Sequence, residues 1–430
     1  MKLPLAYWLD RLRSNTTLRQ AALVFGASML LNVCGFVFHA IVSRRIGVDA
    51  YGQLSALIAA SADLSLPSAV IAPVIARFSA EFVALNDEGH IRRLFSDLSC
   101  VFGGIGVAIV LGCFLLAGKI AAFLYVPVWS VPVVGAIAAL MLLSGVWRAI
   151  AQGTQAFRSF AASLSADGVI RVVALGAFAL AGLALGAGVF GVLVGSAAGA
   201  GVAGFMLLRR YGITGSMPIR YDWPRIAVSG LGAAATTIAM TLVGTVDVIV
   251  VKHAMPPTEA GLYAAASLGG KIVLYAVGFI PMVLLPQATD RHVRGERTRG
   301  ALARAGGLFL VMALLGIGGV ALFGRQMLHA LVGGSFDGAV VLLVPYSIAM
   351  VLLAGSNLLA NYGIATHRIA FAIPLVAGTA ATLLTLVAVH NSLAQVVTIL
   401  DVGMAVTCLA VAVALLWQAM RSRRFAAAQG

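Results

Sequence analysis

Apolar residues run through this chain in blocks of about 20, which as helices rising 1.5 Å per residue cross a hydrocarbon layer of roughly 30 Å. Polar residues gather in the short stretches between the blocks. Twelve blocks are predicted as membrane-spanning helices, near 19–41, 53–76, 98–117, 131–150, 166–186, 188–208, 226–250, 262–286, 301–322, 339–360, 369–388 and 396–418. A backbone in lipid must satisfy its own polar groups, so spans of this kind are helical and the fold class is all-α. Ahead of them, MKLPLAYWLDRLRSN places Leu5, Trp8, Leu9 and Leu12 on one helical face with Lys2, Asp10, Arg11 and Arg13 around it. That predicts a short interfacial helix over 1–18. No small-residue cleavage site follows it, so a removable signal peptide is not expected.

The polar interruptions repeat. In TVDVIVVKHAMPPTEAGLYAAASLGGKIVLYAVGFIPMVLLPQATDRH (245–292), a helix ends at a polar turn with Lys252, His253 and Glu259, and the next helix carries one cation, Lys271. In VSRRIGVDAYGQLSALIAASADLSLPSAVIAPVIARFSAEF a basic helix end with Arg44 leads through an acidic turn into a helix carrying Asp63. Gly52 matches Gly261 at an offset of 209, Pro73 matches Pro281 at 208, and Arg158 matches Arg368 at 210. The chain therefore reads as two pseudo-symmetric six-helix bundles, 19–208 and 226–418. A connector over 209–225 joins them, and a basic tail follows over 419–430.

Composition agrees with this class: 61% of residues are hydrophobic and 10% charged, far from a soluble domain. With the N-terminus in the cytoplasm, the predicted cytoplasmic segments hold 23 of the 29 basic residues and the opposite side five, the distribution of the positive-inside rule. Both termini are thus expected in the cytoplasm, in a cell inner (plasma) membrane. The net charge of +14 is dispersed over short loops without aromatic interleaving, so anionic lipid accounts for it better than nucleic acid.

A charge in mid-span is costly unless it meets a partner, water or cargo, so Lys271 and Asp63 are the first candidate site residues. Since 63 plus 209 is one more than 271, the two occupy near-equivalent positions of the halves. They predict either a static ion pair or an exchange in which Asp63 competes with an anionic ligand for Lys271. Arg148, at the end of the fourth span, is read mainly as an interfacial arginine whose charge reaches to the headgroups. Asp167 and Arg171, four apart, predict a local ion pair, with anion contact by Arg171 as the alternative. Pro67, Pro73, Pro281 and Pro286 each remove a backbone donor and mark bends. Gly191, Gly195, Gly199 and Ala203 form a small-residue strip for close helix packing. Nucleotide-driven pumping is unsupported, since GCFLLAGKI lacks the spacing and hydroxyl of a phosphate-binding loop. The seven histidines and four cysteines lack metal-ligand spacing, so neither a cofactor nor an enzymatic activity is expected.

The stretch from Val246 to Arg291, with SRRIGVDAYG in the first half, resembles the polysaccharide biosynthesis (oligosaccharide flippase) family of the multidrug/oligosaccharidyl-lipid/polysaccharide superfamily. The resemblance implies alternating access. Its cargo would be a polyprenyl-diphosphate-linked oligosaccharide, with glycan polymerase and chain-assembly proteins as partners in lipopolysaccharide O-antigen or exopolysaccharide synthesis. A cation-coupled drug or small-solute antiporter of the same superfamily is the main alternative, and a non-transporting component of glycan assembly the third.

The charge distribution makes a direct test. In a variant lacking native cysteines, a cysteine at Thr258 should react with an impermeant thiol reagent in intact cells and one at Asp87 should not. Labelling at Asp87 alone would reverse the orientation.

Overall fold

The apolar blocks fold as helices, and they break at residues that cannot continue one. The computed structural model describes residues 16–212, 223–278, 280, 299–366 and 369–428. Among the described residues there is no strand, and twelve helices are long and apolar enough to cross a membrane, the first Ala22–Leu64 and the last Leu393–Gln418. The chain is a multi-pass membrane protein with an all-α fold. Large apolar side chains cover its exposed surface: Leu115, Leu180, Leu322, Val341 and Ile373 are among the most exposed, the reverse of a soluble protein.

Contacts divide the chain into two units. The first comprises Met1–Arg45, Pro67–Ile120 and Val128–Asp222, and the second Ile46–Leu66, Ala121–Pro127 and Trp223–Gly430. The division differs from a single break at 209–225, because two segments of the first half pack with the second. The expected interfacial helix lies outside the described residues up to position 15, as do 213–222 of the connector and both Pro281 and Pro286. The tail is helical as far as Ala428, continuing the last helix.

Helix α1 (Thr16–Leu64) is one run with a turn inside it: Gly47 has φ 76°, a left-handed conformation that glycine adopts without a Cβ penalty. The predicted spans 19–41 and 53–76 thus meet at Gly47, and the next break falls at Ser65. Helix α2 (Leu66–Ala84) has Pro67 in its first turn and Pro73 inside. Pro67 has no N–H to offer the carbonyl of Asp63 four residues back. The α2 to α3 turn, outside the spans, is fixed by Asp87, which accepts the His90 amide at 3.0 Å and caps α3 (Glu88–Leu115). Bonds from His90 hold the Asp87 carboxyl below the usual carboxylate range.

The first unit continues through α4 (Ala117–Leu124), whose last turn belongs to the second, then α5 (Ser130–Gly153), α6 (Phe157–Leu180) and α7 (Ala184–Tyr211). Its core holds Phe95, Phe102, Leu142, Ile150, Leu207 and Tyr211. The glycine strip of α7 packs on α6, as the sequence predicts. A Cβ added at Gly195 would lie 2.6 Å from that of Arg171, and one at Gly199 2.9 Å from that of Asp167.

The second unit holds α8 (Trp223–Val243), α9 (Val246–Ala254), α10 (Pro257–Val277), α11 (Arg299–Leu331), α12 (Val340–Ala365), α13 (Ala372–Ala388) and α14 (Leu393–Ala428). The part of α1 beyond Gly47 packs on α10 where the two repeat-related glycines meet. A Cβ at Gly261 would fall 2.0 Å from the Val48 carbonyl oxygen, and one at Gly52 2.9 Å from the Gly261 nitrogen. Beside them Thr258 donates to Asp49 at 2.9 Å, again 209 residues apart. Segment 121–127 is held by α9. His253 stacks on Phe123 with ring centroids 3.9 Å apart, and its Nδ1 lies 2.7 Å from the Phe123 carbonyl oxygen. Lys252, expected in a polar turn, is instead 1% exposed with its ammonium 5.7 Å from the Tyr125 ring.

Gly261→Ala forces a methyl into backbone and should cost about 3 kcal/mol, since overpacking against atoms that cannot move lies at the upper end of such changes. Gly104→Ala, where a Cβ meets nothing within 4 Å, is the control. Thermal melts of both purified variants should show a clear loss for Gly261→Ala and none for Gly104→Ala; equal melting temperatures would show that the close approach is absent.

Candidate functional site

The seventh span, Gly230–Ala254, breaks at Gly244 and Thr245 between α8 and α9. Broken backbone at membrane depth persists where side chains or a cavity satisfy the freed groups. Here Thr245 turns its hydroxyl back to the Thr241 carbonyl at 2.8 Å and lies 2.5 Å from Oδ1 of Asp63. Two residues on, in the first turn of α9, stands Asp247, 0% exposed.

Asp247 is the centre of a polar cluster in an apolar unit. Its Oδ2 accepts hydrogen bonds from the Tyr263 hydroxyl of α10 at 2.9 Å and the Tyr346 hydroxyl of α12 at 2.8 Å. Tyr346 is also 2.9 Å from the Ser267 hydroxyl. Both tyrosines are fully buried, their rings edge to face at 86°. Gly270 leaves room for one of them, because a Cβ there would lie 2.5 Å from the Tyr346 ring. Oδ1 of Asp247 is buried with no hydrogen-bond partner, as is Oδ1 of Asp401 on α14, whose charge acts on Tyr263.

Lys271 sits on α10, half-buried. The charges of Asp247 and Asp63 both act on it, yet among the described residues no ion pair forms between Lys271 and either acid. The static Asp63–Lys271 pair weighed from the sequence does not form, since Asp63 bonds to Thr245 instead. The cluster thus presents one cation without an acceptor and buried acid oxygens without a donor. Such groups can take up an anion, and a proton or small cation, respectively.

The other candidates fall in the first unit. Arg148 is not an interfacial arginine reaching for headgroups: its side chain is 17% exposed, and Nη2 lies 3.2 Å from Oδ2 of Asp167. Its Nε donates to the Ser163 hydroxyl at 2.8 Å, and that hydroxyl donates to the Gly199 carbonyl at 2.7 Å. Arg171 pairs with Asp167 at 2.6 Å, one turn apart on α6, which is the local pair expected from spacing. One carboxylate therefore joins two guanidiniums, a net positive network with the Arg171 Nε buried and unbonded. Arg44 donates to the Ala40 carbonyl one turn back in its own helix, at 2.5 Å. Among the described residues no group of three or more His, Cys, Asp or Glu side chains is placed to hold a metal ion.

Sequence reasoning missed Asp247, Tyr263, Tyr346 and Asp401. The signal for Asp247 was present, a lone acid inside the apolar run TVDVIVV. With the span expected to end at 250, that acid fell near an interface; the helix runs on to Ala254. The tyrosines carry no such signal, because Tyr263 and Tyr346 meet only through the packing of α10 on α12.

No protein-family model matches the sequence, and none of the curated proteins does either. Solved structures do match over nearly the whole chain. A multidrug resistance MATE family transporter of the MOP superfamily, in an inward-facing conformation, is 14% identical with a TM-score of 0.72, covering 91% of this chain and 94% of that one. The lipid II flippase MurJ, in an inward closed conformation, is 10% identical with a TM-score of 0.68, covering 92% and 87%. The Vibrio cholerae MATE transporter VcmN, in a point-substituted form, is 13% identical with a TM-score of 0.61, covering 94% and 98%. The chain therefore has the fold of these MOP superfamily transporters.

Proposed function

We propose that this protein is a transporter that flips polyprenyl-diphosphate-linked oligosaccharide repeat units from the cytoplasmic to the periplasmic leaflet by alternating access. It would serve surface polysaccharide or lipopolysaccharide assembly from the inner membrane, with both termini cytoplasmic. The observation that carries the reading is Lys271, a cation inside a membrane span with no carboxylate within 4 Å among the described residues. An unpaired charge at that depth is retained where something anionic visits it. A diphosphate supplies acceptor oxygens to such an ammonium, while a prenyl tail can stay in lipid. MurJ, which shares the fold, is itself named a lipid II flippase. No covalent bond changes in this reading.

Asp63 and Asp247 fit the second half of a cycle. Both act on Lys271 through charge, so a vacated ammonium is attracted back towards them, and a small cation arriving beside Asp247 weakens that attraction. Coupling of cargo occupancy to conformation then follows from differential affinity in the two states. The second reading, a cation-coupled drug or small-solute antiporter, is favoured by the buried, unbonded Oδ1 of Asp247 and by the MATE neighbours.

Deletion of the gene should leave lipid-linked repeat units in the cytoplasmic leaflet and abolish surface glycan. Complementation with Lys271→Ala should fail by roughly thirtyfold or more in flipping rate, the loss of about 2 kcal/mol expected when a buried charge contact is removed. Lys271→Arg should restore part of it. Normal surface glycan from a well-expressed Lys271→Ala protein would remove the residue from the mechanism. Drug resistance lost with intact glycan would select the antiporter.

A further inference from the structure

The first unit carries a second group of cations, which shares no residue with the Arg148 network and is unused by the transport reading. A cavity of about 880 Å³ opens where α5 ends and α6 begins, and Arg19, Arg158 and Arg210 line it together with Gln155. Among the described residues its lining includes no acid, and none of the three arginines has an ion-pair partner. Like charges converge against their mutual repulsion where an anion relieves it, and guanidinium forks match phosphate oxygens. The first turn of α6, Phe157 to Ser159, also lines the cavity, and no side chain caps that helix. Its unbonded amides and dipole add further attraction for negative charge.

The cavity does not end there. A second hollow of about 480 Å³ shares Ala22, Leu23 and Arg158 with it and continues between α1 and α6 along Gly26, Leu30 and Ala162. From Ala22 to Leu30 it follows α1 for about 12 Å. Leu23 and Leu30 are 42% and 40% exposed, so the groove is open along an apolar stretch of α1. A basic pocket joined to an apolar groove has the shape and polarity of one molecule class: a charged phosphate head with a hydrocarbon tail.

We propose that this composite cavity binds a lipid whose phosphate head carries net negative charge, with the phosphate held by Arg19, Arg158, Arg210 and the α6 N-terminus and one chain along the groove. A bulk anionic phospholipid and a polyprenyl phosphate share that chemistry. Binding at this site does not depend on what the protein transports.

The test uses purified full-length protein in detergent, with binding followed by native mass spectrometry and thermal shift. The probes are phosphatidylglycerol, undecaprenyl phosphate, phosphatidylcholine and inorganic phosphate. The first or second, or both, should bind and raise the melting temperature, whereas phosphatidylcholine and inorganic phosphate should not. Tighter binding of the polyprenyl lipid would make the cavity a carrier site, and equal or tighter phosphatidylglycerol a resident phospholipid site. Arg19→Gln, Arg158→Gln and Arg210→Gln, exposed positions where folding should be kept, should together weaken binding at least about tenfold, as charge-assisted bonds are lost. Gly26→Leu, where an added Cβ meets nothing within 4 Å, should weaken both lipids by filling the groove. Unchanged lipid affinity in the triple variant, or equal binding of phosphatidylcholine, would overturn the proposal.

Discussion

Two tyrosine hydroxyls donating to one buried carboxylate oxygen hold the second unit's polar centre together. Asp247 on α9, Tyr263 on α10 and Tyr346 on α12 come from three helices. In lipid, no water replaces a bond that is lost, so each hydroxyl fixes the position of its helix as well as its own dipole. The other Asp247 oxygen is left open by the same geometry. The charge of Asp247 acts on Lys271 without an ion pair between them.

Close backbone approach supplies the frame for that centre. The glycines at 52 and 261 let α1 and α10 touch through their main chains, which brings the Asp63 half of α1 beside Thr245. The strip of α7 does the same for the first unit, where it leaves space for Arg148 and Arg171 to share Asp167. In the first unit a charged network stands where glycines remove the side chains that would otherwise fill the volume. Small residues matter more than apolar bulk here, because lipid competes with any apolar contact.

This logic marks the limit of what the sequence makes legible. Hydropathy gives the all-α class and twelve spans, because the bilayer demands long apolar helices wherever they occur. The 209-residue offset foretold the Gly52 and Gly261 equivalence, and four-residue spacing foretold the Asp167 and Arg171 pair. Arg148 was misread as interfacial because its partner lies 19 residues away on another helix. Asp247 was passed over because its depth depended on a helix end placed four residues short. The seating of 46–66 and 121–127 in the second unit was not legible at all, since stacking such as His253 on Phe123 leaves no periodic trace.

The central claim is that the cation at Lys271 receives a lipid-linked diphosphate. Its most direct measurement is transport by the purified protein in proteoliposomes, with a fluorescent polyprenyl-diphosphate oligosaccharide and a cationic drug assayed in the same preparation. The account predicts leaflet exchange of the lipid-linked diphosphate that collapses in Lys271→Ala and no cation-driven drug movement. Drug transport driven by a proton or sodium gradient, with the lipid left in its original leaflet, would contradict it.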